Sequence, residues 1–249
     1  DSKFSSCNKR KITDAFSSSP AFTAAGYAAK WRSSACPALD DTAFKQASWE
    51  WAQDSEAATV SWGDIGGWVV SGVKDFSYAL STHRNAVGGS YVLNGNPKAA
   101  TCTTTGLGKW TTTSATTLAH TFDGAGEMIA VLTSWDVSNV ATLEGTFRDA
   151  TKFQGHGIAT WTTTAVTTLA NTFDGASAMA AVLSSWDVSN VASLEGTFRN
   201  ATLFNGHGVG TGWSIDKVTT FADVFSGTTA LTSCIKRVVA DSWKSNTAF

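Results

Sequence analysis

The chain is poor in charge. Only 15% of its 249 residues are Asp, Glu, Lys or Arg, and the formal net charge is −2. That leaves no broad basic field for nucleic acid. The one basic run, Lys9-Arg10-Lys11, is short and reads as ordinary solvated charge. No apolar stretch approaches the roughly 18 residues that a membrane-spanning helix needs, although association with a membrane-bound assembly stays open. Cysteine is scarce as well. Cys7, Cys36, Cys102 and Cys234 show no C-x-x-C spacing, which argues against a zinc site. Cys7 and Cys36 are expected to be the one pair able to join in an oxidising compartment. Also missing are a Ser-His-Asp or Cys-His set on a recognisable motif and a Gly-rich phosphate loop. No catalytic residue, metal or cofactor is therefore assigned. The first residue is Asp1 rather than Met, as expected of a processed or trimmed N-terminus.

What is present is a ruler. Trp110, Trp135, Trp161, Trp186 and Trp213 follow one another at 25, 26, 25 and 27 residues. A fixed period in that range signals stacked repeats, each unable to bury its apolar face alone. With Trp as position zero, an aliphatic stands at minus three (Leu107, Leu132, Ile158, Leu183). Further apolar slots fall at plus five (Ala115, Val140, Val166, Val191, Val218), plus eight (Leu118, Leu143, Leu169, Leu194, Phe221) and plus twelve (Phe122, Phe147, Phe173, Phe198, Phe225). The period of two at Trp and plus two predicts a short strand with one face buried. The later steps of three and four predict one helical face. Upstream, Ile65, Trp68, Val70, Val73, Phe76 and Leu80 fill the same slots. Trp68 lies 42 residues before Trp110, so an insertion of about 17 residues is expected there. Downstream, Ile235, Val238 and Ala240 fit a last strand with Val238 in the tryptophan slot. Odd and even repeats differ, and the string DVSNVATLEGTFR from Asp136 returns almost unchanged from Asp187. The duplicated unit is thus about 51 residues long.

The fold class this predicts is an α/β repeat solenoid with a short parallel strand plus a short helix per repeat. Residues 1–60 are expected to form an N-terminal helical cap, with Ser19-Pro20 opening one helix and Asp40-Asp41 capping another. Residues 61–249 would form the solenoid, with the insertion at about 85–103 and a C-terminal cap. Leu132, Trp135 and Val137 spell LxxLxL, and SWDVSNV (Ser134–Val140) is followed by Thr146-Phe147-Arg148-Asp149-Ala150 and Phe153. These strings resemble the BspA-like leucine-rich repeats of microbial and protist surface proteins, over roughly residues 43–240. The resemblance implies a leucine-rich-repeat-like fold and a tendency toward surface adhesion or protein binding, with no catalytic residues. Alternate repeats depart from it by placing Thr at plus two, and the first forty residues are unmatched.

On that fold the residues at plus one and plus three would point outward from an open strand face. They include Thr111 and Thr113, Asp136 and Ser138, Thr162 and Thr164, and Asp187 and Ser189. Parts that occur once offer more distinctive surfaces than near-identical repeats. These are the aromatics Phe22, Tyr27 and Trp31 of the cap and Tyr91 of the insertion. All twelve are candidate partner-binding residues. Glu144 with Arg148 and Glu195 with Arg199 read as i, i+4 ion pairs, and Asp123 and Asp174, each before a glycine, as turn formers. His156 and His207 lie in equivalent loops roughly 10 Å or more apart, too far to share a metal. The reading that follows is a non-enzymatic protein-interaction or scaffold module, either a surface adhesin or an accessory subunit of a larger assembly. The place expected for it is extracellular or cell-surface, with an organelle lumen as the alternative. A rival reading is a glycan- or ice/water-ordering surface built from the Thr, Ser and Asp rows.

Overall fold

The computed structural model describes residues 9, 12–13, 15–31, 38–86, 90–102 and 104–249. The apolar slots are filled as a core: Trp110, Trp135, Trp161 and Trp186, and the phenylalanines at plus twelve from Phe122 to Phe198, are all buried. The secondary structure that carries them is not an α/β solenoid. Among the described residues there is no β-strand, only isolated bridges, and most of the chain is turn and loop. The strand-plus-helix repeat is therefore corrected to a coil of successive tight turns.

The reason is local. After Trp and the residue at plus two, a turn closes at once: the amides of Ala115, Val140, Val166 and Val191 each donate to the carbonyl three residues back at 2.9 Å. Extended pairing cannot propagate, and parallel contact survives at one residue per coil. That row runs Asp75, Thr117, Thr142, Thr168, Ser193 and Thr220, bridging six coils in order. The expected helix fails for a second reason. Position plus ten is left-handed in every coil (Tyr78, His120, Gly145, Asn171, Gly196 and Asp223, φ 54–57°). So is plus fourteen from the second coil on, at Gly124, Asp149, Gly175, Asn200 and Gly227. A helix needs φ near −63° throughout. Instead Thr146 donates to Leu143 O and Ala150 to Phe147 O, both at 3.1 Å. These are two consecutive turns with a positive φ at the third residue, as type II turns require. Steps of three and four residues suit such turns as well as they suit a helix.

The coils are tied by backbone and side chain together. The amides of Phe122, Phe147, Phe173 and Phe198 each donate to the next coil at 2.9 Å. Where the backbone ladder is interrupted, side chains substitute for it. Each tryptophan Nε1–H donates to the minus-three carbonyl of the preceding coil: Trp110 to Ile65 (2.8 Å), Trp135 to Leu107 (2.9 Å), Trp161 to Leu132 (3.3 Å), Trp186 to Ile158 (2.8 Å) and Trp213 to Leu183 (3.1 Å). Buried Thr146, Thr172 and Thr197 reach both their own coil and the one before. The threonine at plus two is explained in the same way. Thr112 Oγ1 donates to Asp136 O and accepts from Asp136 N, both at 2.8 Å.

Helices close the stack. In the N-terminal part run α1 (Pro20–Ala24), α2 (Tyr27–Trp31), α3 (Asp41–Gln53) and α4 (Ser55–Trp62). Asp40 caps α3 by accepting from Ala43 N at 2.8 Å. From α3, Phe44 packs edge-on to Trp68 and Trp110, and Trp51 packs against Trp68. A one-turn helix, α5 (Val209–Gly212), precedes Trp213. The last segment is helix α6 (Ser233–Trp243), not the expected strand. Val238 is exposed, and Trp243, fully buried, lies on Trp213 with centroids 6.5 Å apart. Its indole N–H finds no acceptor among the described residues. Cys102 packs partly buried against the core and Cys234 is exposed, both free thiols; burial pushes the Cys102 thiol up to about 12. The Cys7–Cys36 pairing lies outside the described residues.

Turn and helix make opposite predictions for Gly175→Ala. In a helix the change would stabilise by about 1 kcal/mol. Here Gly175 has φ 71°, and an added Cβ would run into Asp149 Oδ1. The variant is expected to lose about 1–2 kcal/mol, read as a lower urea midpoint with unchanged slope.

Candidate functional site

In the insertion, residues 82–86 and 90–96 pair as the two arms of a small hairpin. Arg84 bridges Tyr91 in antiparallel fashion, Val92 N donates to His83 O at 3.1 Å, and Asn96 N donates to Thr82 O at 2.9 Å. Its base is fixed from inside. Arg84 is fully buried, and its guanidinium donates to Ser48 Oγ (3.0 Å), Ala79 O (2.6 Å) and Lys45 O (2.9 Å). Burial lowers its pKa to about 10. Asn96, also buried, donates to Ser81 O and accepts from Gln53 of α3 at 2.6 Å. On the returning arm Tyr91, Val92 and Leu93 are 52%, 43% and 67% exposed.

Beneath the hairpin lies a polar cluster. Asp123 is fully buried and accepts a bidentate pair from Arg148, Nε at 2.8 Å and Nη2 at 2.5 Å. His120 Nδ1 is 3.0 Å from the same carboxylate and His83 Nε2 3.9 Å. Tyr78 stacks on His120 with centroids 4.8 Å apart, while Tyr91 stands 6.4 Å from Tyr78 and 5.9 Å from His83. Burial, then the charges of Asp123 and Glu144, raise the Tyr78 hydroxyl above its ordinary value. Burial, then Asp174 and Asp123, likewise raise the Asp149 carboxyl. The duplicated unit repeats the ion pair, Arg199 Nε on Asp174 at 3.0 Å, but puts Asn171 where His120 stands. The cluster therefore occurs once, on a scaffold that occurs twice. Arginine pairs with its carboxylate, and the cluster touches the hairpin through His83 and Tyr91.

The sequence candidates fall in separate places. Trp31 is buried, Phe22 half-buried and Tyr27 exposed, packed on one another (Tyr27–Trp31 4.7 Å, Phe22–Trp31 6.2 Å). Thr111, Thr113, Thr162, Thr164 and Asp187 are exposed, while Asp136, Ser138 and Ser189 are half-buried. The strand face expected to carry these eight does not exist. Thr113, Ser138, Thr164 and Ser189 stand on turns and the other four in the irregular segment leading into them, where Asp136 Oδ1 and Asp187 Oδ1 each accept the serine amide two residues on at 2.9 Å. Hydrogen bonds from Ser138 and Ser189 hold the two carboxyls below the usual range. Of the twelve, only Tyr91 belongs to the hairpin cluster. The intrahelical pairs are corrected too: Arg148 and Arg199 bind Asp123 and Asp174 of the preceding coil rather than Glu144 and Glu195. Asp123 and Asp174 are thus ion-pair acceptors and not merely turn formers. His83, His120 and Tyr78 escaped the sequence reading. The one signal for them was His120 against Asn171 in otherwise near-identical strings.

Two overlapping segments, residues 93–207 and 143–248, match the family described as "Mycoplasma protein of unknown function, DUF285". Their starts lie 50 residues apart, close to the duplicated unit, and together they cover more than half of the chain. No curated protein and no solved structure matches it. No helix among the described residues is long and apolar enough to cross a membrane.

The two ion pairs differ in burial, and so should their removal. Arg148→Ala strands a carboxylate with no exposure and is expected to cost about 3 kcal/mol or more. Arg199→Ala frees Asp174, which keeps 10% exposure beside an arginine at 37%, and is expected to cost about 1 kcal/mol. Paired denaturation curves check the order.

Proposed function

The chain belongs to the DUF285 family, and on that premise we propose that it is a non-enzymatic protein-interaction module that meets its partner with the inserted hairpin. The observation that carries this reading is the run Tyr91-Val92-Leu93, three consecutive apolar residues held outward on a base anchored by buried Arg84 and Asn96. Apolar side chains kept in water on a fixed loop are a recurring feature of contact sites, and a tyrosine among them suits an interface anchor. The hairpin occurs once, whereas surfaces two coils apart are nearly identical and carry little distinguishing information. The likeness of SWDVSNV and its following residues to BspA-like proteins supports a place on the cell surface or outside the cell, as an adhesin or as an accessory subunit of a larger assembly there.

The test is capture from the native source with three proteins: the intact chain, Tyr91→Ser with Leu93→Ser, and Asp136→Ala with Asp187→Ala. The hairpin variant is expected to lose at least about tenfold in captured partner, the loss of one anchor-sized contact, while the turn variant keeps it. Loss confined to the turn variant would overturn the assignment.

A further inference from the structure

Backbone bonds hold the exposed arm of the hairpin, and one imidazole adds a side-chain tie to it. Val92 N donates to the His83 carbonyl at 3.1 Å, and Asn94 N donates to His83 Nδ1 at 3.1 Å. Asn94 is left-handed, φ 51°, at the third position of a turn closed by Gly95 N donating to Val92 O at 2.9 Å. The second bond needs a lone pair on Nδ1, so it exists only while the ring is neutral. The other ring nitrogen, Nε2, lies 3.9 Å from the buried Asp123 carboxylate, beyond hydrogen-bond reach, and the side chain is 13% exposed. We propose that His83 is a two-position latch that ties down the Leu93-Asn94 end of the Tyr91–Asn94 segment when neutral and releases it when protonated, making the contact element of the hairpin acid-sensitive. This rests on the reading of that segment as the contact element.

The direction follows from the groups around the ring. A proton on Nδ1 sets two donors face to face at Asn94. The imidazolium is drawn instead toward Asp123, the carboxylate facing Nε2 from the second coil. Asp123 is shared with Arg148 and His120, which lessens but does not remove that pull. Asp149 of the third coil also lies within electrostatic reach of His83. From the hairpin itself the ring faces Tyr91 at 5.9 Å. The Asn94 bond therefore holds while the ring is neutral and is lost when Nδ1 takes a proton. Without that bond Asn94 loses one of its ties, and the neighbouring Leu93 is freer to move, while the Arg84–Tyr91 bridge and the Val92 N to His83 O bond remain.

The experiment uses the intact chain without a partner. Exchange protection of the Asn94 and Val92 amides, corrected for intrinsic rate, is followed by NMR from pH 8 to pH 5. Protection at Asn94 should fall about tenfold, the ratio that the loss of one such bond gives, in step with the His83 ring signals. His83→Asn keeps an acceptor near the Nδ1 position without a titrating group and should flatten the curve at high protection. His83→Ala should flatten it at low protection. His120→Asn, the residue of the sister repeat, should leave the pH dependence in place. A flat curve in the intact chain, or one abolished by His120→Asn, overturns the latch. Either result leaves the partner-capture outcome standing, and a hairpin variant that still captured its partner would remove the functional reading without touching the latch.

Discussion

A chain that neither extends into strands nor winds into helices must still satisfy its backbone, and here the inner column of aromatic rings makes that feasible. Tryptophans stack coil on coil (Trp68–Trp110 5.9 Å, Trp110–Trp135 5.8 Å, Trp161–Trp186 6.1 Å). Beside them run the phenylalanines at 5.6–5.7 Å from Phe122 to Phe225. Each buried ring contributes on the order of 1.5–3 kcal/mol, and the tryptophans add a donor that crosses to the neighbouring coil. Leucine in the same slot would fill space but could not make that bond. Ring packing and inter-coil hydrogen bonding are thus one device, repeated at the spacing of the coils.

The rest of the molecule follows from it. The open ends of the column must be covered, and aromatics from helices do so: Phe44 and Trp51 of α3 at one end, Trp243 of α6 at the other. The hairpin leaves the stack between the first and second coils without breaking it, because the bridge from Asp75 to Thr117 closes beneath it. Its base is tied both to α3, through Asn96 and Gln53, and to the second coil, where Thr82 N donates to Asp123 O at 2.8 Å. A rigid stack thereby presents one irregular segment, and His83 and His120 lie beside it around the buried Asp123 carboxylate.

The slots of this core were legible in the sequence, because burial depends on side-chain spacing and not on how the backbone achieves it. The backbone was not legible from spacing alone. Leu143, Phe147 and Ala150 repeat at four and three whether the chain winds as a helix or folds as consecutive turns. What separates the two is the residues between them: Gly145 and Asp149, then Asn171 and Gly175, then Gly196 and Asn200, all types that tolerate positive φ. Trp, Val and Thr in the first half favour strands, yet the turn after plus two cuts the pairing short. Val238 misled for a similar reason, since an aliphatic three residues from another fits an exposed helix position equally well. The ion pairs were misassigned because an i, i+4 reading presumes a helix; once the backbone turns, Arg148 reaches the coil before it. The hairpin cluster joins residues from 78 to 148, and no local pattern announces such a convergence.

The central claim is that the indole N–H groups of the column bond from coil to coil in a closed interior. Exchange of the tryptophan side-chain protons measures this directly, followed by NMR on protein carrying nitrogen-15 in tryptophan. Trp110, Trp135, Trp161, Trp186 and Trp213 should exchange far more slowly than an indole open to solvent, and should give way together as denaturant is raised. Rapid, independent exchange of those five protons would contradict the account.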